Sequence, residues 1–265
     1  MEEKENYETS ILEKIIVKIG GLLAIGFGQA GSEIIVQNMR NNDGINPMIP
    51  GKKVIAIFGF CDIRNFTDAT EVLKTEVMVF VNQIAEIVHS EVDKFAGAAN
   101  KNIGDAFLVC WKFEENQCEL KNGELKLKNT TKVQALGDLA VMSFVNIMGK
   151  INTSFEINRY NNNNLLKERI PNYKVRMGFG LNLGWAIEGA IGSAFKIDAS
   201  YLSPNVNMAS RLEAATKQFR TDLLISEKLY NICSSEIQNE LRKIDVVTVK
   251  GSEEPIALYT FDVDY

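Results

Sequence analysis

A continuous apolar run at 53–60 (KVIAIFGF) leads directly into a charged motif, and one long amphipathic stripe follows it. An apolar run bounded by turn residues predicts a buried strand. The stripe from Val72 to Val92 predicts a helix that packs by one face. Residues 95–101 and 106–113 are strand-like and are joined by a tight Asn-Ile-Gly-Asp turn. The main domain is therefore predicted to begin as strand, helix, strand, strand.

The second half of the chain continues this order. Further helices are predicted at 135–151 and 205–219, and further strands at 175–186, 188–192, 223–225, 246–249 and 257–263. The succession of strand, helix, strand, strand, helix, strand is typical of a ferredoxin-like unit. We therefore expect an α+β sandwich on a ferredoxin-like βαββαβ core with additional strands.

Several segments have a less regular pattern. Residues 1–50 are interpreted as an N-terminal helical leader or linker, with apolar residues at helical spacing from Ile11 to Ile19 and loop composition near Asn41–Gly44. Residues 51–265 are interpreted as the main domain. The lysine-rich segment 114–131 predicts a surface hairpin or insertion. The asparagine-rich segment 152–172 predicts a mobile loop. Asp68 and Glu71 have the spacing of a capping pair for the long helix.

Charge and cysteine content exclude several classes of function. With 29 basic and 34 acidic residues the net charge is −5, which argues against nucleic-acid binding because that needs a basic face. The four cysteines lack CxxC spacing and indicate reduced thiols in a cytosolic compartment, and the single histidine, His89, excludes a histidine-rich zinc site. The apolar run at 19–28 is shorter than the roughly 20 residues that span a bilayer. A cytoplasmic location is expected.

Two aspartates occupy positions where strands of such a unit end side by side. Asp62 follows the first strand, and Asp105 lies in the turn between the next two. Adjoining carboxylates of this kind bind hard divalent cations. The backbone N–H groups of Asn65, Phe66 and Thr67, at the start of the long helix, suit phosphates. Each aspartate alone is equally typical of an ordinary cap or turn.

A third feature lies in the motif at 200–216, SYLSPNVNMASRLEAAT. Asn207 and Arg211 are four residues apart and therefore share one face of a predicted helix. An arginine presents a fixed fork of donors to phosphate oxygens. Seen alone, the pair is also compatible with an ordinary surface arginine and a helical asparagine.

Together these motifs resemble the catalytic domain of the class III nucleotide cyclases. The matching stretches occur in the family's order over about 53–262, and they are FGFCDIRNFTD, KNIGD followed by AFLVCW, VNMASRLEA and VKGSEEPIALYTF. The resemblance implies two Mg²⁺ or Mn²⁺ ions bound by Asp62, Asp105 and the Ile63 carbonyl. It implies that Asn207 and Arg211 orient the ribose and stabilise the transition state.

The resemblance also identifies residues that contact the substrate. Lys250 matches a lysine that meets the terminal phosphates, and Lys196 is a looser match for another phosphate contact. Lys101, four residues before Asp105, matches the lysine of adenylate cyclases, and a donor there suits the acceptor N1 of adenine. Ser200 falls on the second base-reading position and discriminates poorly, because a hydroxyl both donates and accepts. ATP is therefore the expected substrate.

Members of the family act as head-to-tail dimers whose sites draw residues from both chains. Since this chain carries both sets, the resemblance implies a homodimer with two complete sites, and it leaves room for an upstream regulatory or membrane domain. The family often has glycine where Asn65 and Ser203 stand, which puts the local loop shape in question. The alternatives are a guanylate cyclase and a catalytically inactive dimerisation module. The GG[DE]EF signature of diguanylate cyclases is absent.

Overall fold

The computed structural model describes residues 9–23, 25–26, 28, 31, 50–193, 196–248 and 254–263. The strands are β1 (Lys52–Ile63), β2 (Ala98–Ile103), β3 (Ala106–Lys112), β4 (Cys118–Lys121), β5 (Glu124–Leu127), β6 (Met177–Ser193), β7 (Lys196–Leu202), β8 (Leu223–Ser226), β9 (Leu241–Val247) and β10 (Ile256–Phe261). The helices are α1 (Phe66–Leu73), α2 (Val77–Lys94), α3 (Thr131–Thr153), α4 (Phe155–Asn161), α5 (Asn164–Arg169), α6 (Pro204–Phe219), α7 (Glu227–Tyr230) and α8 (Ser235–Glu240). Residues 9–23 are also helical.

The strand order of the main sheet confirms the predicted fold. Neighbouring strands run β2-β3-β1-β6-β8-β10-β9, with β7 paired to β6, and β4 and β5 form a separate hairpin. The first four strands in this order have the ferredoxin-like arrangement, in which β1 lies between the last strand of the unit and β3. Strand β3 pairs antiparallel with both β1 and β2, whereas β6 and β8 are parallel.

Helices pack on both faces of this sheet. Because side chains alternate along a strand, Ile57 and Cys61 join the large core formed with α2 and α3, together with Trp111 and Phe144. Helix α6 lies on the opposite face. A Cβ added at Gly180 would overlap the backbone of α6, so this glycine allows the helix to lie directly on β6.

The chain divides into two compact units. The larger comprises Lys53–Ile187 and Leu202–Tyr265, and it contains the ferredoxin-like strands β2 and β3 and helix α6. The smaller comprises Met1–Lys52 and Glu188–Tyr201, and it includes the end of β6 and most of β7. Within this unit the Tyr201 hydroxyl donates to the buried carboxylate of Glu188 at 2.8 Å.

The prediction of a mobile loop at 152–172 is wrong. The segment forms α4 and α5, whose N-termini are capped by the side chains of Ser154 and Asn163. Both helices bury apolar side chains, Ile157 and Leu166 being fully enclosed. The asparagines that indicated a loop thus include a helix cap, a position that asparagine favours.

The single long helix predicted after β1 is also corrected. It is divided into α1 and α2 by a short 3₁₀ turn, Lys74–Glu76. Asp68 and Glu71 do not cap α1, because the helix already begins at Phe66; instead both carboxylates accept hydrogen bonds from Arg169. The two carboxylates therefore join α1 to α5.

Most other boundaries are close to those predicted, but the strand predicted at 246–249 is β9, which already begins at Leu241 and ends at Val247. The segment 114–131 contains the β4–β5 hairpin, as expected. The single strand β6, Met177–Ser193, replaces the two strands predicted at 175–186 and 188–192. Strand β7 and the short helices α7 and α8 were not predicted. The helix predicted from Ile11 is present, whereas the loop near Asn41–Gly44 lies outside the described residues. No helix in the described ranges is long and apolar enough to cross a membrane.

Candidate active site

The two aspartates predicted to bind metal lie close together where the neighbouring strands β1 and β3 meet the loops at one end of the sheet, called the carboxylate edge below. Asp62 is opposite Ala106 in the β1–β3 ladder, and the Ile63 N–H donates to the carbonyl of Asp105 at 3.2 Å. Burial raises the pKa of the Asp62 carboxyl, and the neighbouring charge of Asp105 raises it further. The cations of Lys217 and Arg64 oppose this shift. The register of two antiparallel strands thus brings together carboxylates that are 43 positions apart in the sequence.

This donor set fits a hard divalent cation. Two carboxylates and a backbone carbonyl supply only oxygen, the ligand that Mg²⁺ and Mn²⁺ favour. The pKa of Asp62 is raised partly because Asp105 repels it, and a cation between the two would remove that repulsion. No group of three or more His, Cys, Asp or Glu placed to hold a metal occurs in the described residues, so other ligands would have to complete such a site.

The first turn of α1 follows the carboxylates directly. Asn65 is the N-cap and adopts the left-handed conformation, with φ 56° and ψ 32°, and its side chain makes no capping hydrogen bond. Asparagine tolerates this conformation better than most residues. The N–H groups of Phe66 and Thr67 are in the first turn, where no intrahelical acceptor is available. These N–H groups therefore follow closely after Asp62 in the chain, and their binding of phosphate stays a prediction.

Helix α6 carries Asn207 and Arg211 one turn apart. Asn207 is exposed and Arg211 is partly buried. Ser203, where the resemblance put the loop shape in question, is extended with φ −170° and needs no glycine. Its hydroxyl accepts from the Asn205 N–H at 3.0 Å, so the serine caps the helix that presents the pair.

The predicted base-reading residues lie on two different strands. Lys101 is on β2, directly after an irregularity in its pairing with β3. Ser200 is on β7, 7% exposed, in the smaller unit, and Lys196 is the exposed first residue of the same strand. Lys250 lies outside the described residues.

Comparison with known proteins decides the family. Residues 50–262 match the family model of the adenylate and guanylate cyclase catalytic domain. The chain belongs to the family of class III nucleotide cyclase catalytic domains. Residues 1–40 match a second model, the all-helical domain of RasGEFs.

Two curated relatives of this cyclase are named adenylate cyclases. The chain is 27% identical to an adenylate cyclase of Anabaena cylindrica over 202 residues, which covers 76% of the chain and 35% of the relative. It is 28% identical over 210 residues to the terminal-differentiation-specific adenylate cyclase of Dictyostelium discoideum, covering 78% of the chain and 8% of the relative. The chain thus spans about a third or less of the curated relatives that it matches.

Solved structures agree with the fold of a cyclase. A bacterial light-regulated adenylyl cyclase superposes with a TM-score of 0.68 at 25% identity, covering 96% of this chain and 64% of that one. The adenylyl cyclase CyaB from P. aeruginosa gives 0.62 at 20% identity, with 82% and 98% covered. The guanylate cyclase domain of RhGC from Catenaria anguillulae, in complex with GTP, gives 0.55 at 20% identity, with 78% and 96% covered.

The structure adds residues that the sequence analysis of this cyclase missed. Arg64 lies beside Asp62 and contacts Glu213 and Thr216 of α6, and Lys217 is close enough to influence the Asp62 carboxyl. Glu213, Thr216 and Lys217 have the i, i+3, i+4 spacing of one helix face, which the sequence does show. Nothing in the sequence indicated that this face meets the strand that carries Asp62.

Proposed function

We propose that this chain converts ATP into 3′,5′-cyclic AMP and pyrophosphate. The observation that carries the proposal is the convergence of Asp62 and Asp105 at one sheet edge, next to the N–H groups that open α1. The relatives named adenylate cyclases support this choice of nucleotide. Lys101 supports it too, since an ammonium only donates hydrogen bonds and adenine offers an acceptor at N1.

The carboxylate edge would hold the metal and the phosphates. Asp62, Asp105 and the Ile63 carbonyl would bind two Mg²⁺ or Mn²⁺ ions, which lower the pKa of the ribose 3′-hydroxyl and neutralise the phosphates. The N–H groups of Phe66 and Thr67 donate to phosphate oxygens. Lys250 and Lys196 would contact phosphates, as the resemblance implies.

The residues of α6 act on the reacting atoms. Asn207 orients the ribose so that its 3′-oxygen faces the α-phosphorus in line with the leaving group. Arg211 donates to the oxygens of the α-phosphate as their negative charge grows. The bond from the 3′-oxygen to the α-phosphorus forms, the bond from the α-phosphorus to the bridging oxygen breaks, and pyrophosphate leaves with its electron pair. The 3′-hydroxyl proton passes to solvent.

Two chains would share each site. In the proposed head-to-tail homodimer, the carboxylates of one chain face the base-reading residues, Asn207 and Arg211 of its partner. The exposure of Asn207 supports this arrangement, because an exposed helix residue is available to a second chain. Residues 51–265 would then form the catalytic domain and residues 1–50 a helical leader.

A side-by-side assay with ATP and GTP, each with Mg²⁺ and with Mn²⁺, tests the proposal. We expect cyclic AMP to be the main product, and we expect Asp62→Asn and Asp105→Asn to lose it while their circular dichroism stays that of the native protein. Asp138→Asn is the control, since that aspartate accepts from the Ser234 N–H, away from the site. Cyclic GMP as the main product would support the guanylate alternative. No product from either nucleotide would support an inactive module.

A further inference from the structure

The Arg64 side chain is held between helix α6 and β1, the strand that carries Asp62 and is called the metal strand below. Its Nη1 donates to Glu213 Oε1 at 2.7 Å and lies 3.8 Å from Asp62 Oδ1. Its Nη2 donates to the Thr216 hydroxyl. The side chain is only 13% exposed. One guanidinium therefore contacts two residues of α6 and also faces a proposed metal ligand.

The backbone and the neighbouring strand fix this guanidinium in place. The Arg64 N–H donates to the carbonyl of Arg176 at 2.9 Å, next to the start of β6. On β6, a Cβ at Gly178 would overlap the guanidinium and the Glu213 carboxylate. The glycine thus leaves the space that the ion pair fills.

The guanidinium of Arg64 lies between two carboxylates, those of Glu213 and Asp62, and its position decides which of them it neutralises. Glu213 is 7% exposed, and burial raises the pKa of its carboxyl while Arg64 lowers it. Removing one partner of a buried ion pair leaves an uncompensated charge, which is why such pairs are costly to break. Since Glu213 takes the closest contact with Nη1, the guanidinium stays 3.8 Å from Asp62 and does not close onto it. Asp62 therefore keeps its oxygens for a cation.

We propose that Arg64 is a positioning residue of this cyclase: Glu213 and Thr216 hold its guanidinium 3.8 Å from Asp62, where it restricts the orientation of that carboxylate without occupying the oxygens that would bind metal. The inference rests on the proposed function, because it assigns Asp62 to the metal. Arg64 also connects the strand that carries Asp62 with the helix that carries the predicted substrate-contacting residues. Arg64 anchors on the same helix that carries Asn207 and Arg211, so the metal strand and this helix are fixed to each other.

Substitution by lysine tests the geometry with the charge kept. A lysine has no planar fork and cannot contact Glu213, Thr216 and the Asp62 side at once. We expect Arg64→Lys to weaken Mn²⁺ binding about 10–100-fold, the usual effect of losing a residue that orients a metal ligand. The binding is measured by electron paramagnetic resonance of free Mn²⁺, with a nonhydrolysable ATP analogue present. The kcat should fall while the KM for ATP changes little.

Glu213→Gln is the second variant and tests the anchor. It keeps the side-chain shape but removes the charge that holds Nη1, so the guanidinium is free to close onto Asp62 and compete with Mn²⁺. We expect weaker Mn²⁺ binding here as well. Arg176→Lys is the matched control, since its exposed side chain pairs with Asp222 and not with a proposed ligand. Its Mn²⁺ affinity and kcat should equal those of the wild type.

Thermal unfolding separates positioning from folding. If Arg64→Lys is unfolded at the assay temperature, the Glu213→Gln result decides. Folded variants with wild-type Mn²⁺ affinity would overturn the inference. An inactive wild type whose Mn²⁺ binding still depends on Arg64 would refute the proposed function alone, whereas an active wild type whose Mn²⁺ binding does not depend on Arg64 would refute the positioning role alone.

Discussion

The two halves of helix α6 differ in what they face. The first half presents Asn207, which is exposed, and the partly buried Arg211. The second half presents Glu213 and Thr216, which are 7% and 1% exposed and contact Arg64 beside Asp62. The second half of the helix therefore packs against the segment of its own chain that carries Arg64 and Asp62. In the proposed function, the first half acts on the substrate.

Both halves of α6 lie directly on β6, and this requires small residues on the strand. Gly180 offers no side chain to the helix backbone at Ala209 and Glu213, Gly184 leaves space for the Asn205 side chain, and Gly178 leaves space for the guanidinium. Ser203 caps the first half, and Val206 and Ala209 of that half are also buried. Packing therefore fixes both halves, and the cap adds to it at the N-terminus.

The largest expected effect is the recovery of activity when two inactive variants are mixed. Failure to recover would contradict the role of the first half of α6 in a site shared with a partner chain. Asp62→Ala and Arg211→Ala should each lose a factor of about 10²–10³ or more in kcat, because each removes a group that stabilises the transition state. When the two are combined in one solution, activity should partly return, since one of the two sites in a mixed dimer has every residue. Cyclic AMP formation measures the recovery.

The control for the mixing experiment is a pair of variants from the same half-site. Asp62→Ala mixed with Asp105→Ala should show no recovery, because every site then lacks one carboxylate. Differently tagged chains purified in tandem establish that mixed dimers are present. If verified mixed dimers of Asp62→Ala and Arg211→Ala stay inactive, the first half of α6 does not serve a partner chain.

Local signals allowed most of the fold and the paired carboxylates to be predicted. The apolar run of β1 and the Asn-Ile-Gly-Asp turn are encoded by neighbouring residues, so the placement of Asp62 and Asp105 followed from strand order. Helices α4 and α5 were missed because their asparagines are typical of loops, whereas the burial of Ile157 and Leu166 depends on distant elements.

The role of Arg64 could not be predicted for the same physical reason. Its partner Glu213 is 149 positions away, and the pairing depends on how α6 crosses β6. The sequence contained the helix-face spacing of Glu213, Thr216 and Lys217 but gave no partner for that face. The glycines that permit the crossing are informative only once the helix is in place.

Gly178→Ala has the next largest expected effect and tests the packing of Arg64 and Glu213 between α6 and β6. The new Cβ would overlap the Arg64 guanidinium and the Glu213 carboxylate. Overpacking of this kind lowers the free energy of unfolding by about 1–3 kcal/mol. Urea denaturation measures the loss, and Mn²⁺ binding should weaken together with it.

Gly149→Ala on α3 is the matched control for that substitution. A Cβ at Gly149 meets no atom within 4 Å, so alanine should be tolerated or should stabilise the helix by up to about 1 kcal/mol. Equal effects of the two substitutions on stability would contradict tight packing around the Arg64 guanidinium at Gly178.

Asn65 allows a smaller test, at the turn between the carboxylate edge and α1. Its φ of 56° is left-handed, which costs an ordinary L-residue about 1–2 kcal/mol. We expect Asn65→Ala to lower the free energy of unfolding by about 1 kcal/mol and Asn65→Gly to leave it nearly unchanged. Urea denaturation of both variants checks this. An alanine variant as stable as the glycine variant would show that this turn relaxes to another conformation.

The smallest expected effect concerns His89, on α2, away from both halves of α6. Burial lowers the pKa of its imidazole, although a hydrogen bond with Asn102 and the charge of Glu86 oppose the shift. Because the folded pKa is below the unfolded value of about 6.5, the stability from this group is complete above pH 6.5. It is lost as the pH falls from there through the folded pKa.

Proton NMR measures this pKa without ambiguity, since the sequence has one histidine and an untagged protein gives one imidazole signal. We expect a midpoint below 6.5, and His89→Gln should flatten the dependence of stability on pH between about 5 and 7. The ring also meets Phe107 edge-on, with centroids 5.7 Å apart. A midpoint at or above 6.5 would mean that the hydrogen bond with Asn102 and the charge of Glu86 outweigh the effect of burial on this ring.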